Sequence, residues 1–147
     1  MRRRFIRSIR RVEVADLSER HPRARRLSSA DVNRDVLSDP RVAVYVNDGR
    51  HHLQMQRPAS YDLITLEPPP IGIRRRGRAV FHASSTRWPA TRLKSGGYLS
   101  QWLPAYQVPA PTTLAMVRAF VEVFPQTVLI SGAEADLLLV GATGSAH

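Results

Sequence analysis

Cysteine is absent from the 147 residues, which excludes disulfides, thiolate metal sites and cysteine nucleophiles. Long hydrophobic runs are missing as well. The best candidates, Leu137 to Val140 and Val128 to Ile130, fall far short of the roughly 18 residues of a membrane span, so the expectation is a soluble, cytoplasmic chain without membrane contact. Lysine is nearly absent, Lys94 standing against 21 arginines. Both cations neutralise phosphate, so selection for phosphate contacts alone would hardly give that ratio; GC-rich coding is the simpler cause. What is present is ordinary: 43% hydrophobic and 23% charged residues argue for a folded core, and the length suits one domain better than two well-cored ones.

The formal net charge of +10 raises the question of nucleic acid, and its location answers it. Residues 1–26 hold ten Arg against Glu13, Asp16 and Glu19, and residues 74–92 hold six Arg and no acid, whereas both remaining stretches are mildly acidic. Two segments therefore carry the excess, and the few aromatics within them, Phe5, Phe81 and Trp88, do not make the interleaved series that a base-stacking surface requires. Nucleic acid is disfavoured as a partner. Residues 1–11 (MRRRFIRSIRR) read as a solvated basic arm, a targeting peptide being the less favoured alternative.

Hydrophobic patterning gives the order of elements. Val12–Leu17 reads as a buried strand, Asp31–Leu37 as a short helix stopped at Asp39-Pro40, and Val42–Val46 as a strand leading to Asn47-Asp48-Gly49 and a helix over 50–56. Tyr61–Leu66 is a strand ended by Glu67 and three prolines. Residues 72–91 show no period, and Arg92-Leu93-Lys94 before Ser95-Gly96-Gly97 reads as a helix end with glycine stops. Tyr98–Leu103 is a strand. Leu114, Val117, Phe120, Val121 and Phe124 fall at helical spacing within 112–124, and the strands 126–130 and 136–140 are joined too closely for a parallel crossover, so they should run antiparallel. Alternating strands and helices with a closing hairpin give an α/β fold, a mostly parallel Rossmann-like sheet of methyltransferase type with an antiparallel C-terminal strand.

Ligands of open α/β sheets bind beyond the carboxyl ends of the strands. Asp16, Asp48 and Glu67 follow the first three strands, and Gln101 lies near the end of the fourth. A carboxylate at such a strand end suits the two hydroxyls of a ribose, an Asn-Asp pair suits an adenine amino group, and a third carboxylate near a reacting amine can hold or deprotonate it. The bland alternative is that Asp16 and Asp48 cap turns or helices and that Glu67 is an exposed loop carboxylate. His51-His52 point about 100° apart on a helix with no third ligand at suitable spacing, so no metal is expected. Tyr98, Trp102 and Tyr106 are read chiefly as packing, with Tyr106 also carried as a substrate-binding candidate beside Gln101. Residues 141–145 (GATGS) resemble a phosphate loop only loosely and read as a tail.

The strings VEVADLS, NRDVLSDPRV, VNDGRHHL, YDLITLEPPP, LKSGGYLSQWLPAYQVP and FPQTVLISGAEADLLLVG, in this order, resemble the spermidine synthase-like (polyamine aminopropyltransferase) family of the class I methyltransferase fold. The resemblance implies aminopropyl transfer from decarboxylated S-adenosylmethionine to putrescine, with 5'-methylthioadenosine as the other product. It places Asp16 at the ribose-binding position, Asn47 and Asp48 with Gly49 at the adenine-binding position, and Glu67 at the position of the catalytic acidic residue. It also implies a polyamine substrate and a tendency to self-associate through surfaces the sequence does not identify.

The sequence departs from that family in four respects. The glycine-rich turn after the fold's first strand has no counterpart, so the domain, taken as residues 12–143 with a tail at 144–147, is expected to be truncated at its N-terminus and impaired in cofactor binding. Glu67 stands where aspartate is usual, and prolines 68–70 replace a polar loop. Residues 19–29 and 72–91 fit the family poorly and read as frame-shifted stretches. The competing readings are a related S-adenosylmethionine-dependent methyltransferase, an inactive fragment, and more weakly a basic nucleic-acid-binding module.

Overall fold

The computed structural model describes residues 8–17, 36–67, 83–132 and 136–144. The chain divides into two compact units, Met1–Met55 and Gln56–His147, each treated separately below. The segment 19–29, most of the region 72–91, and residues 31–35 of the expected first helix lie outside the described residues.

In the first unit, β1 (Val12–Asp16) pairs in parallel with β2 (Val42–Val46), Val12 opposite Val42 and Asp16 opposite Val46. Both strands are β-branched and apolar in alternation, the composition that a pleated surface favours. β1 is half-buried, not buried as its apolar run implies. A 3-10 turn at Val36–Ser38 precedes β2, and Arg41 closes the bend by reaching back to Asp39 through both its backbone N–H and its guanidinium. The helix α1 (Gly49–Met55) follows β2 and packs against β1.

The second unit contains β3 (Tyr61–Leu66), α2 (Ala83–Ala90), β4 (Leu93–Leu103), α3 (Ala110–Val123), β5 (Val128–Ser131) and β6 (Leu137–Ala142). Its sheet has the order β3-β4-β6-β5. β3 and β4 are parallel, and β6 runs antiparallel to both of its neighbours. This is the expected mixture of parallel strands with one reversed strand, and the closing hairpin is antiparallel as its short connection requires.

One face of this sheet carries Ile64, Leu99, Leu103 and Leu139, all buried together with Met116, Ala119, Phe120 and Phe124. The spacing of the last four places them on a single stripe of α3 and just past its end. Pro111 lies in the first turn of α3, where its missing N–H costs nothing. The helix closes with the Phe124 N–H donating to the Phe120 carbonyl before Pro125, and the Thr127 hydroxyl satisfies the carbonyl of Phe124. α2 packs on α3 and on β4.

Two expectations are corrected here. Residues 83–90 form a helix despite their lack of period, and Leu93-Lys94-Ser95-Gly96-Gly97 is the start of β4, not a helix end. Gly96 has φ 73°, and a Cβ on Gly97 would lie 2.9 Å from the Lys94 carbonyl oxygen and 3.2 Å from that of Asp62. Gly97 therefore lets an irregular strand press against its neighbour where a side chain would have no room, and Gly96 takes a left-handed backbone conformation that favours glycine.

Candidate functional site

The carboxyl ends of β1 and β2 bring the cofactor candidates of the first unit together. Asp16 is the last residue of β1, and its carbonyl accepts the Asn47 N–H at 3.1 Å just beyond β2. Asn47 Oδ1 accepts the Asp48 N–H at 2.8 Å and lies 3.2 Å from His51 Nδ1. Asp48 Oδ1 accepts the backbone N–H groups of Arg50 and His51 at 2.9 and 3.2 Å. Asp48 is thus the N-cap of α1, satisfying donors that the helix itself cannot. Gly49 opens the helix, and nothing lies within 4 Å of the place a Cβ would take.

Below this edge the same unit holds a polar network that sequence reasoning missed. His52 is buried, and its Nε2 donates to Glu13 Oε2 at 2.9 Å. Arg11 Nε meets the other oxygen of Glu13 at 2.8 Å, and Arg11 also donates to the Tyr45 hydroxyl at 2.9 Å. The Tyr45 and His52 rings stack at 4.5 Å. A charged residue in the middle of the apolar run V-E-V-A-D was the available signal, because a carboxylate in a half-buried strand requires a partner. The network ties α1 to β1 and β2, which fixes where Asp48 stands. His52 is thereby a positioning residue in this unit; among the described residues no group of three or more His, Cys, Asp or Glu that could hold a metal ion occurs.

In the second unit Glu67 follows β3 directly and is exposed, while Leu66 stands opposite Gln101 across the parallel ladder. Glu67 and Gln101 therefore share the carboxyl edge of the sheet. Gln101 itself is buried between Leu66 and Leu139, on the helix-covered face. Tyr106 lies past the end of β4, exposed, its ring edge-on to Trp102 at 6.2 Å. The Trp102 indole N–H donates to Asp136 Oδ1 at 3.1 Å, a contact that antiparallel pairing of Trp102 with Leu138 allows because Asp136 falls on the same face. Trp102 is thus a half-buried side chain of the sheet face, whereas Tyr98 on the same face is exposed.

No family model matches the chain, and no curated protein matches it. Solved structures do. The spermidine synthase of Thermotoga maritima superposes with a TM-score of 0.72 at 16% identity, covering 92% of this chain and 46% of that one. A spermidine synthase in complex with the transition-state analogue AdoDATO gives the same score and identity over 94% of this chain and 46% of that chain. A probable spermidine synthase from Corynebacterium glutamicum follows at a TM-score of 0.57 and 18% identity, with 93% and 49% covered. The chain spans about half the length of these structures. At such identities the likeness speaks to the fold, and the fold is that of the spermidine synthases, a Rossmann-like α/β arrangement of methyltransferase type.

Proposed function

We propose that this chain is a spermidine synthase-like domain that binds decarboxylated S-adenosylmethionine and transfers its aminopropyl group to a polyamine such as putrescine. The observation that supports the reading is the placement of acids at the carboxyl ends of strands in each unit: Asp16 ends β1 and Asp48 follows β2 in the first, and Glu67 follows β3 in the second. In this reading Asp16 accepts from the ribose hydroxyls and Asn47 and Asp48 meet the adenine edge beside the open approach at Gly49, whereas Gln101, buried on the helix-covered face, and Tyr106, set against Trp102, are not brought together and take no part in it. Asp16, Asn47 and Asp48 fit an adenosyl ligand chemically, since they are acceptors for hydroxyl and amino donors. Glu67 takes the proton of the attacking ammonium. The freed amine nitrogen then bonds to the methylene carbon next to the sulfonium; the carbon–sulfur bond breaks, its electron pair stays on sulfur, and methylthioadenosine leaves.

Thermal unfolding with and without methylthioadenosine tests the binding half of this reading. Ligand at about 100 times its dissociation constant adds about 2.7 kcal/mol to stability, which raises the midpoint measurably. Asp48→Asn separates the two roles of Asp48, because asparagine caps a helix as well as aspartate does. The variant should unfold at the wild-type temperature without ligand and lose most of the ligand-induced rise. An unchanged rise in Asp48→Asn leaves Asp48 as a cap alone, and no rise in the wild type removes the proposal. With binding established, Glu67→Gln should lower the aminopropyl-transfer rate by about 100-fold or more, the range of general-base contributions.

A further inference from the structure

The sheet of the second unit buries one face beneath α3, where Leu99, Leu103 and Leu139 lie. By alternation along the strands, Trp102, Leu138 and Ile130 lie on the other face. The register sets these three in a row across β4, β6 and β5, Trp102 opposite Leu138 and Leu138 opposite Ile130. Leu138 is half-buried and Ile130 is exposed, so solvent reaches the row.

At the β4 end of the row an aromatic pair meets a carboxylate. Tyr106 is exposed and set edge-on to Trp102, the ring centroids 6.2 Å apart and the planes at 67°. The turn that carries Tyr106 is anchored by the fully buried Pro104 and closed by the Gln107 N–H, which donates to the Pro104 carbonyl at 2.9 Å. Asp136 Oδ1 accepts the Trp102 indole N–H at 3.1 Å, and the Asp136 carbonyl accepts the Gly132 N–H at 2.7 Å, which holds the base of the β5–β6 connection. Asp136 is exposed, and among the described residues its Oδ2 has no hydrogen-bond or ion-pair partner. Two electron-rich rings and a half-used carboxylate therefore stand together on braced backbone, beside an apolar strip.

We propose that this corner binds an alkylammonium ion, its head held by Trp102, Tyr106 and Asp136 and its hydrocarbon stem lying along Leu138 and Ile130. Charge selects the head. Aromatic faces attract ammonium groups, tryptophan most strongly, and the unused carboxylate oxygen accepts an ammonium N–H. The surrounding sequence agrees, since residues 93–147 set Lys94 and Arg118 against Glu122, Glu134 and Asp136 in spite of the chain's net charge of +10. The row selects the stem. It crosses two strand spacings of about 4.8 Å each, the reach of a chain of about six carbons, and its apolar side chains give no partner to a second charge. The ligand is thus a monoammonium ion with an apolar stem, not a diammonium. The site uses none of the residues assigned to aminopropyl transfer and stands or falls apart from that reading. Its affinity is in the millimolar range, because an exposed cation–π contact is a weak one.

An NMR titration of the full chain with n-hexylammonium chloride, at ionic strength held constant with sodium chloride, tests this. The indole N–H signal of Trp102 should move and saturate, while that of Trp88, whose ring already lies under the Arg92 guanidinium at 4.9 Å, serves as the internal control and stays in place. Asp136→Asn keeps an acceptor for the Trp102 indole and removes the charge, so it should weaken binding at least about fivefold. Tyr106→Leu should weaken it by about two- to fivefold, and Tyr106→Phe should bind as the wild type does, because the ring and not the hydroxyl is used. Both positions are exposed, and an unchanged far-ultraviolet dichroism spectrum checks that each variant folds. Hexamethylenediammonium, of the same length, should bind at least about threefold more weakly than the monoammonium. A Trp102 signal that does not move, Asp136→Asn with wild-type affinity, or a diammonium that binds as tightly as n-hexylammonium would each overturn the proposal.

Discussion

At the scale of single residues, the first unit shows how short polar side chains set local geometry. Asp39 is the clearest case. Its carboxyl group is held down at about 2 by the side-chain hydrogen bonds of Arg41, then by the Arg41 backbone N–H and the guanidinium charge. A carboxylate whose folded pKa is depressed contributes stability above its unfolded value, and that contribution is lost as pH falls toward the folded pKa. Titration of Asp39 followed by NMR should therefore give a midpoint near 2, and Arg41→Gln should return it toward the ordinary carboxylate value of about 3.9. A midpoint unmoved by that substitution would mean that something other than Arg41 depresses it. Asp16 and Asp48 were both legible as strand-end acids, but the capping bonds of Asp48 were legible only as an alternative, because the same residue type serves a helix N-terminus and a ligand amine through the same oxygens. The charge within V-E-V-A-D signals that Glu13 needs a partner, but the partnership with His52 spans the sequence distance from β1 to α1, so no local pattern names that partner.

At the scale of elements, periodicity identified what it can identify. β2, β3 and α3 were legible as elements, but not the side each turns to the core: Val44, Val46, Leu63, Leu114 and Val121 are exposed, while Met116 and Ala119, outside the expected stripe, are buried. α2 was not, since its sequence ASSTRWPA includes Pro89 and lacks an apolar stripe; its place comes from packing on α3 and β4. The start of β4 was misread because glycine marks helix ends and close strand approach alike. A second close approach gives a prediction at this scale. A Cβ on Gly141, in β6, would lie 2.5 Å from both Cβ and Cγ of Phe124, just after α3. Phe124 is buried and stacked with Phe120 at 5.1 Å, so it has nowhere to retreat. Gly141→Ala should destabilise the fold by about 1–3 kcal/mol, the range for overpacking a filled core, read as a lower denaturant midpoint at constant slope. A neutral result would show that the helix end slides freely over β6.

For the whole molecule, the absence of cysteine excluded disulfides, no helix among the described residues is long and apolar enough to cross a membrane, and of the candidate acids Asp48 and Glu67 fall outside the two arginine-rich stretches while Asp16 falls within the first. The strand register has a further consequence, which concerns the order in which the chain folds. β1 and β2 pair across about 30 residues of sequence, whereas Ser131 of β5 pairs with Leu137 of β6 after only a few. Closing the longer loop costs on the order of 3 kcal/mol of chain entropy, and the shorter one about half of that. The hairpin can thus form quickly and offer β6 as a template for β4, while the parallel pair must wait for a rarer encounter. Pulse-labelled hydrogen exchange during refolding should protect the amides of Leu138 and Leu139 before those of Val14 and Val44; the opposite order would place the nucleus in β1 and β2. A ribosome delivers these parts in the reverse sequence, so the portion of the chain that emerges first is the portion that matures last.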